Sequence, residues 1–505
     1  MKKLSKNVVL QRLSTNHLVL LLIIIIPGFL IRLHKINNPL ADWHSWRQTD
    51  TASVSREFIK HDYSILEPHY QDLSNIPNGL SNIDGYRMVE FPIINYLIAQ
   101  FIRSFPNLDL VLTSRLASII SSCFSILFLY GIVWKLSKNK LTSFFSAFVF
   151  AFLPYSVFYS RVILPEPFMI TLQLLSLFSF IVWLEKQKEN IKYQISNIIK
   201  HNFWILISLV SLSLALLLKP TTIFITPVFI ILAFAYLGKK VFTTWQLYLF
   251  PLSLLPTFAW RIWIQNFPTG IPANRWLLNG NGIRLRPAWW RWLFADRLGR
   301  LILGYWGSIF VSLGLISKSK AISNIQYPIS KFDLFTITYA ASMFLYLVIF
   351  ATGNVQHDYY QIILIPIVSI LFARGITFLL NLPKQLNYKL ITLSSVFIFI
   401  LLSLYFSYYE VKGYFNINNP SIVTAGKRID QLTPNNAKII APYMGDTAFL
   451  FQTNRTGWPI GGEIEKKINM GASYYVSTTY DNEVRELEKK YKVLEKTPEH
   501  IIIKL

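Results

Sequence analysis

Residues His17 to Ala52 read HLVLLLIIIIPGFLIRLHKINNPLADWHSWRQTDTA. The apolar run Leu18 to Ile31 carries no charge, and a short polar linker after it leads into Asp42-Trp43-His44-Ser45-Trp46-Arg47-Gln48-Thr49-Asp50. Such a run ending directly in acids, His, Arg and Trp reads as a membrane span that opens into a polar outer loop. No small-residue cleavage site follows the run, which continues through Pro27 and Gly28 to Arg32, so it is expected to stay as a first span rather than be removed as a signal peptide.

The whole chain extends this pattern. Its 505 residues are 53% hydrophobic and only 15% charged, with 38 Phe, 26 Tyr and 14 Trp. Soluble domains carry about 25% charged residues, so a soluble enzyme, a disordered chain and a secreted scaffold are excluded. Apolar segments of spanning length cover residues 17–33, 112–134, 142–160, 165–184, 203–218, 221–237, 246–264, 300–316, 332–350, 360–380 and 390–409, which predicts about eleven transmembrane helices. The single cysteine, Cys123, allows no intrachain disulfide and no cysteine metal cluster.

The net charge of +23, from 49 Lys and Arg against 26 Asp and Glu, marks topology rather than nucleic acid. With the N-terminus inside, behind Lys2, Lys3, Lys6 and Arg12, the cytoplasmic loops collect Lys135, Lys138, Lys140, Lys186, Lys188, Lys192, Lys200, Lys239, Lys240, Lys318, Lys320, Lys331, Lys384 and Lys389. The opposite short loops hold only Arg161 and Lys219. That asymmetry places 91–105, bracketed by Pro92 and Pro106, at the outer interface rather than across the membrane.

Two long segments then face outward: 34–111, with nine acids, and 265–299, rich in Trp, Pro and Arg. Residues 1–409 form the membrane domain. From 410 to 505 the composition becomes soluble, and alternating helix and strand patterns (strands Ala437 to Ala441, Ser473 to Ser477 and Ile501 to Lys504) predict a small α/β domain outside.

Several residues are candidates for chemistry. Glu166 lies in Arg161-Val162-Ile163-Leu164-Pro165-Glu166-Pro167, a tight outer turn, and is either a site residue or the partner of Arg161. Asp42 reads as a general base or a solvated turn, and Asp50 as a general base or the cap of an amphipathic helix over Thr51 to Lys60. His44 as a metal ligand is a weak reading. Arg275, Arg284, Arg286, Arg291 and Arg297 face outward against Asp296 alone, which suits either phosphate oxygens or lipid headgroups beside Trp289, Trp290 and Trp292. Lys219, before Pro220, either adds charge to that anion site or snorkels. Gly353-Asn354-Val355-Gln356-His357-Asp358-Tyr359-Tyr360 is a substrate contact or an interfacial aromatic turn.

Acids after the first span, the Arg161 to Pro167 turn, Lys219-Pro220 and His357-Asp358-Tyr359-Tyr360 together resemble the GT-C membrane glycosyltransferases. More narrowly, the pattern over residues 10–410 is similar to the bacterial glycosyltransferase family 39 branch, related to protein mannosyltransferases and the lipid A aminoarabinose transferase. The resemblance implies a base in the first external loop, matched by Asp50 or Asp42, an assisting acid matched by Glu166, and a polyprenyl-phosphate sugar as donor. Two departures stand out. Arg47-Gln48 occupies the place of the relatives' Asp-Glu pair, and Phe91 follows Glu90 where they often have Lys, so phosphate binding leans on Arg elsewhere.

The expected function is therefore transfer of a sugar from a polyprenyl-phosphate donor to a lipid, glycan or protein acceptor at the outer face of the cytoplasmic membrane, by single displacement with inversion. Asp50, Asp42 and Glu166 are the catalytic candidates. Arg284, Arg286, Arg275, Lys219, Arg47 and Arg161 are the candidates for the donor phosphate, and His44, Trp46, Gln48, Glu90, His357, Tyr359 and Tyr360 those for other substrate contacts. No cofactor is expected, with a divalent metal left open. The alternative is a multi-span transporter or lipid flippase, which would more naturally place ionisable groups at mid-membrane than at one face.

Overall fold

The structure, a computed structural model, describes residues 16–188, 195–280, 282–317, 329–382 and 389–505. Lys2, Lys3, Lys6, Arg12, Glu189, Lys192, Lys318, Lys320 and Lys384 lie outside the described residues. Among the described residues, seven helices are long and apolar enough to cross a membrane, and an eighth is reached if the pair Pro287–Ile302 and Gly307–Ile316, bent by 118°, counts as one span. This corrects the expected eleven.

The shortfall has local causes. The first apolar stretch forms a helix of only 16 residues, His17–Arg32, with Pro27 inside it. The expected span 142–160 breaks at Leu153, because Pro154 cannot continue the hydrogen bonding of the Lys140–Phe152 helix and instead starts the short helix Pro154–Tyr159.

Helices in the bundle approach closely where side chains are small. A Cβ on Gly314 would lie 1.9 Å from the Leu371 carbonyl oxygen, and one on Gly375 would lie 2.0 Å from that of Phe310. The Gly307–Ile316 and Ile365–Leu380 helices therefore meet backbone to backbone at both positions. A row of serines on Leu110–Ser137 serves a similar end: Ser118 donates to the Val162 carbonyl at 3.0 Å and Ser122 to that of Ser160 at 3.2 Å.

The first long loop folds on this bundle. Its main helix, Ser45–Lys60, begins after His44, whose φ of 53° breaks the preceding chain direction. Most of this helix is buried although its sequence is polar, including Arg47, Gln48, Thr49, Asp50, Ser53, Ser55, Arg56 and Glu57. A helix that buries polar residues on several faces is held by specific partners rather than by an apolar stripe. One partner is Ile93–Ser104, whose Asn95 side chain donates to the Thr51 carbonyl at 2.7 Å.

From Pro420 the chain builds five strands: β1 (Lys438–Ile440), β2 (Thr456–Trp458), β3 (Ala472–Ser477), β4 (Lys492–Lys496) and β5 (Ile501–Lys504). They form one sheet in the order β2-β1-β3-β5-β4, parallel at β2-β1-β3 and antiparallel at β3-β5-β4. The first loop completes its β2 edge: the Gly457 amide donates to Gln71 and the Leu73 amide donates to Gly457. The sheet thus sits directly against the loop that carries Asp50.

Candidate functional site

Helical spacing divides the Ser45–Lys60 helix into two working faces. Arg47, Asp50, Thr51 and Val54, at i, i+3, i+4 and i+7, line one side of a cavity of about 290 Å³ whose opposite wall is Arg87, Glu90, Pro92 and Asn95. Thr49, Arg56 and Lys60 point to the C-terminal sheet domain, where Arg56 and Lys60 donate to the carbonyls of Phe451 and Asn454.

Charges alternate from the cavity wall to Lys219 and Glu166, which are not among its lining residues. Arg87 Nη2 lies 2.9 Å from Asp50 Oδ2, and the Thr447 hydroxyl donates to Asp50 Oδ1 at 2.8 Å. Arg47 pairs with Glu90 Oε1, which is also 3.1 Å from Lys219 Nζ. Lys219 in turn lies 2.9 Å from Glu166 Oε1. Its backbone is extended, as a residue before proline must be, which turns its side chain out of the helix ending at Leu218 and across to both acids. Glu166 opens the helix Glu166–Lys188, where the helix dipole favours a carboxylate, and its second oxygen, Oε2, is buried without a partner.

Burial works against the charges of Glu90, Lys219 and Arg47, and the neighbours outweigh it. Burial alone would raise the Glu90 carboxyl, but Arg47, Lys219 and Arg87 hold it down at about 2. Against the same burial, Glu166 and Glu90 raise Lys219, and Glu90 above all raises Arg47. Glu90, Lys219, Arg47 and Arg87 therefore favour their charged forms, each held by partners of opposite sign.

A second cavity of about 420 Å³ shares Thr51, Glu90 and Asn95 with the first, and its other walls include Phe91, Ile94, Ile98, Leu164, Phe168 and Leu218. A charged chamber thus adjoins an apolar one, with Glu90 on the wall of both.

Asp42 has a different place. It accepts hydrogen bonds from Arg161 at 2.8 Å, Arg115 at 3.2 Å and Gln48 at 2.9 Å, and it is 1% exposed. The two guanidiniums also bind the carbonyls of His34, Lys35, Ile36 and Asn38, so Asp42 knots the loop entry rather than facing either cavity. The solvated-turn reading of Asp42 is thereby corrected, as is the pairing of Arg161 with Glu166. Asp50 is no helix cap either, since the helix begins a full turn before it.

The chain matches the model of the dolichyl-phosphate-mannose-protein mannosyltransferase family over residues 22–274. It belongs to that family. No curated protein matches it. Among solved structures, ArnT from Cupriavidus metallidurans bound to undecaprenyl phosphate superimposes with a TM-score of 0.60 at 11% identity, covering 96% of this chain and 97% of that one. The Archaeoglobus fulgidus oligosaccharyltransferase in complex with Zn and sulfate gives a TM-score of 0.58 at 13% identity, over 90% of this chain and 68% of that one. AglB from the same organism, with an inhibitory peptide and a dolichol-phosphate, gives 0.53 at 12% identity, over 94% and 72%. The family and the shared fold make this chain a multi-pass membrane glycosyltransferase of GT-C architecture.

For a mannosyltransferase-family chain, the positions of the remaining candidates are informative. His44 Nε2 lies 2.5 Å from Asp358 Oδ1, and the same carboxylate accepts from Trp43, Tyr159 and Tyr414. Rings of Trp46, Tyr359 and Trp276 surround His357, whose imidazole burial lowers to about 4. Tyr360 stacks on Tyr359, and Lys219 Nζ lies 6.0 Å from its ring centre. Arg284 donates to the Ile349 carbonyl at 3.3 Å, while Arg275 and Arg286 are exposed. Among the described residues, no ion pair joins these three arginines to Asp50, Glu90 or Glu166. No group of three or more His, Cys, Asp or Glu side chains suited to a metal occurs among the described residues.

Sequence reasoning missed Arg87 and Thr447. Arg87 carried a usable signal, being the one Lys or Arg between Lys60 and Arg103 and lying three positions before Glu90. Thr447 carried none, because nothing in the tail sequence says which loop it meets.

Proposed function

We propose that this protein transfers a sugar from a polyprenyl-phosphate carrier to an acceptor at the outer face of the cytoplasmic membrane, inverting at the anomeric carbon. The observation that carries this reading is the charged cavity opening on an apolar one at Glu90. A lipid-phosphate donor needs that junction: its phosphate among Arg47, Arg87 and Lys219, its prenyl chain along Phe91, Ile94 and Phe168. Relatives of the same fold hold undecaprenyl phosphate and dolichol-phosphate, which supports a donor of this class.

In this mechanism Asp50, the aspartate that lines the cavity, takes the proton from the acceptor hydroxyl as it attacks. The C–O bond to the phosphate breaks on the opposite face, and the negative charge gathering on the leaving phosphate is met by Arg47, Arg87 and Lys219. The unpartnered Glu166 Oε2 receives a substrate hydroxyl. Arg275, Arg284 and Arg286 take the lipid-headgroup role.

The test is binding of undecaprenyl phosphate to the full-length protein in nanodiscs. Lys219→Ala and Arg47→Ala each weaken it at least tenfold, whereas the double change of Arg284 and Arg286 to Ala leaves it within about twofold. Unchanged binding in the first two variants overturns the phosphate site.

A further inference from the structure

Thr447 immediately precedes the helix Ala448–Gln452, the position at which a threonine side chain ordinarily caps the helix amides. Its hydroxyl makes no such bond. The capping is done by Asp446, whose Oδ1 accepts from the Ala448 amide at 2.7 Å. Thr447 instead points out of its own domain to Asp50 Oδ1 at 2.8 Å, with the Trp46 carbonyl at 3.2 Å and Thr49 Oγ1 at 3.1 Å. Its main-chain carbonyl is fixed by Gln71 at 3.0 Å, and the residue is 5% exposed.

The turn that delivers it is built for close approach. Met444 and Gly445 have φ of 52° and 83°, and the amides of Tyr443 and Gly445 both donate to the Pro459 carbonyl. A Cβ on Gly445 would meet Ile76 of the first loop at 2.9 Å. The sheet domain is thus seated so that one side chain reaches the site carboxylate.

We propose that Thr447 is a positioning residue: its hydroxyl, with Arg87 on the other carboxylate oxygen, fixes Asp50 toward the cavity in its ionised form, making the C-terminal domain a working part of the site. This rests on the reading of Asp50 as the base. The groups facing Asp50 are Arg47 on its own helix, Arg87, Glu90, Tyr70 and Asp72 from the first loop, and Asp446 from the C-terminal domain. Among the described residues only the Thr447 hydroxyl and Arg87 donate to its oxygens, so removing the hydroxyl destabilises the carboxylate and makes protonation easier.

The test uses the full-length protein in nanodiscs with dicyclohexylcarbodiimide, which reacts with protonated buried carboxyls, and reads Asp50 labelling by peptide mass spectrometry across pH. Thr447→Val, which keeps the shape and removes the hydroxyl, moves the labelling midpoint up by about one pH unit, and Thr447→Ser returns it to the wild-type value. With native membranes supplying donor and acceptor, Thr447→Val releases polyprenyl phosphate at least tenfold more slowly while binding undecaprenyl phosphate as tightly as wild type. An unchanged midpoint in Thr447→Val, or wild-type Asp50 that labels at no pH, overturns this inference and leaves the base reading standing. An Asp50→Asn variant with wild-type turnover overturns the base reading and this inference with it.

Discussion

Asp42 accepts three hydrogen bonds, from Arg161, Arg115 and Gln48, while Asp50 keeps one side toward a cavity. The same substitution therefore has different effects at the two positions. Asp50→Asn abolishes transfer, measured as polyprenyl phosphate release, with undecaprenyl phosphate still bound, because an amide accepts the Thr447 hydrogen bond but cannot take a proton. Asp42→Asn leaves two buried guanidiniums without a counter-charge, which costs about 3–5 kcal/mol and appears as a lowered thermal midpoint. Glu90 adds a pH signature. Its carboxyl is held below its ordinary value of 4.5, at about 2, so its stabilisation is present above pH 4.5 and is lost as pH falls toward 2. Glu90→Gln lowers stability at pH 7 and flattens the loss over that acid window, as read by thermal unfolding against pH. At this scale the sequence singled out Glu166 as a carboxylate beside hydrocarbon, Asp50 in a polar stretch after the first span, Lys219 as a cation at an outer span end, and Glu90 through the family resemblance. It could not tell which cation meets which acid, since Arg161 reaches Asp42 and Lys219 reaches Glu166 only after the bundle has folded.

The Ser45–Lys60 helix shows why an element can be recognised and still be misplaced. Periodicity from Thr51 to Lys60 suggested an amphipathic helix with Asp50 at its cap, but the first turn is polar and buried, and no apolar rhythm marks its start. Its two faces became distinguishable only once the cavity and the sheet domain were in place on either side. The tail divides in the same way. Ile501–Lys504 is a full apolar strand and was legible, whereas Thr456–Trp458 has three residues with a central glycine, and Lys492–Lys496 is mostly charged and partly exposed. Within the bundle, the prediction belongs to Gly314: replacing it with Ala sets a methyl 1.9 Å from the Leu371 carbonyl oxygen, so Gly314→Ala lowers the yield of folded protein in detergent and its thermal midpoint. Gly413, whose Cβ would meet nothing within 4 Å and whose φ is not positive, is the matching control for space.

The composition made a polytopic membrane chain plain, and the loop lysines gave it an orientation, but apolar length alone overcounted the spans where Pro154 and the 118° bend interrupt them. Orientation is tested directly: reporter fusions after Lys140 and after Lys412 read inside and outside, respectively, and the reverse at both positions removes the outer-face site. The contact between Thr447 and Asp50 joins residues 397 positions apart. At a synthesis rate of 5–20 residues per second, the loop bearing Asp50 waits roughly 20–80 s on the ribosome-bound chain before the partner residue is even made. A nascent chain can thus be threaded into the bilayer, with the charges around Glu90 included, before Asp50 has met Thr447. On the proposed role of Thr447, full turnover has to wait until translation has passed the sheet domain, and a chain cut short upstream of it is expected to insert and to turn over at least tenfold more slowly.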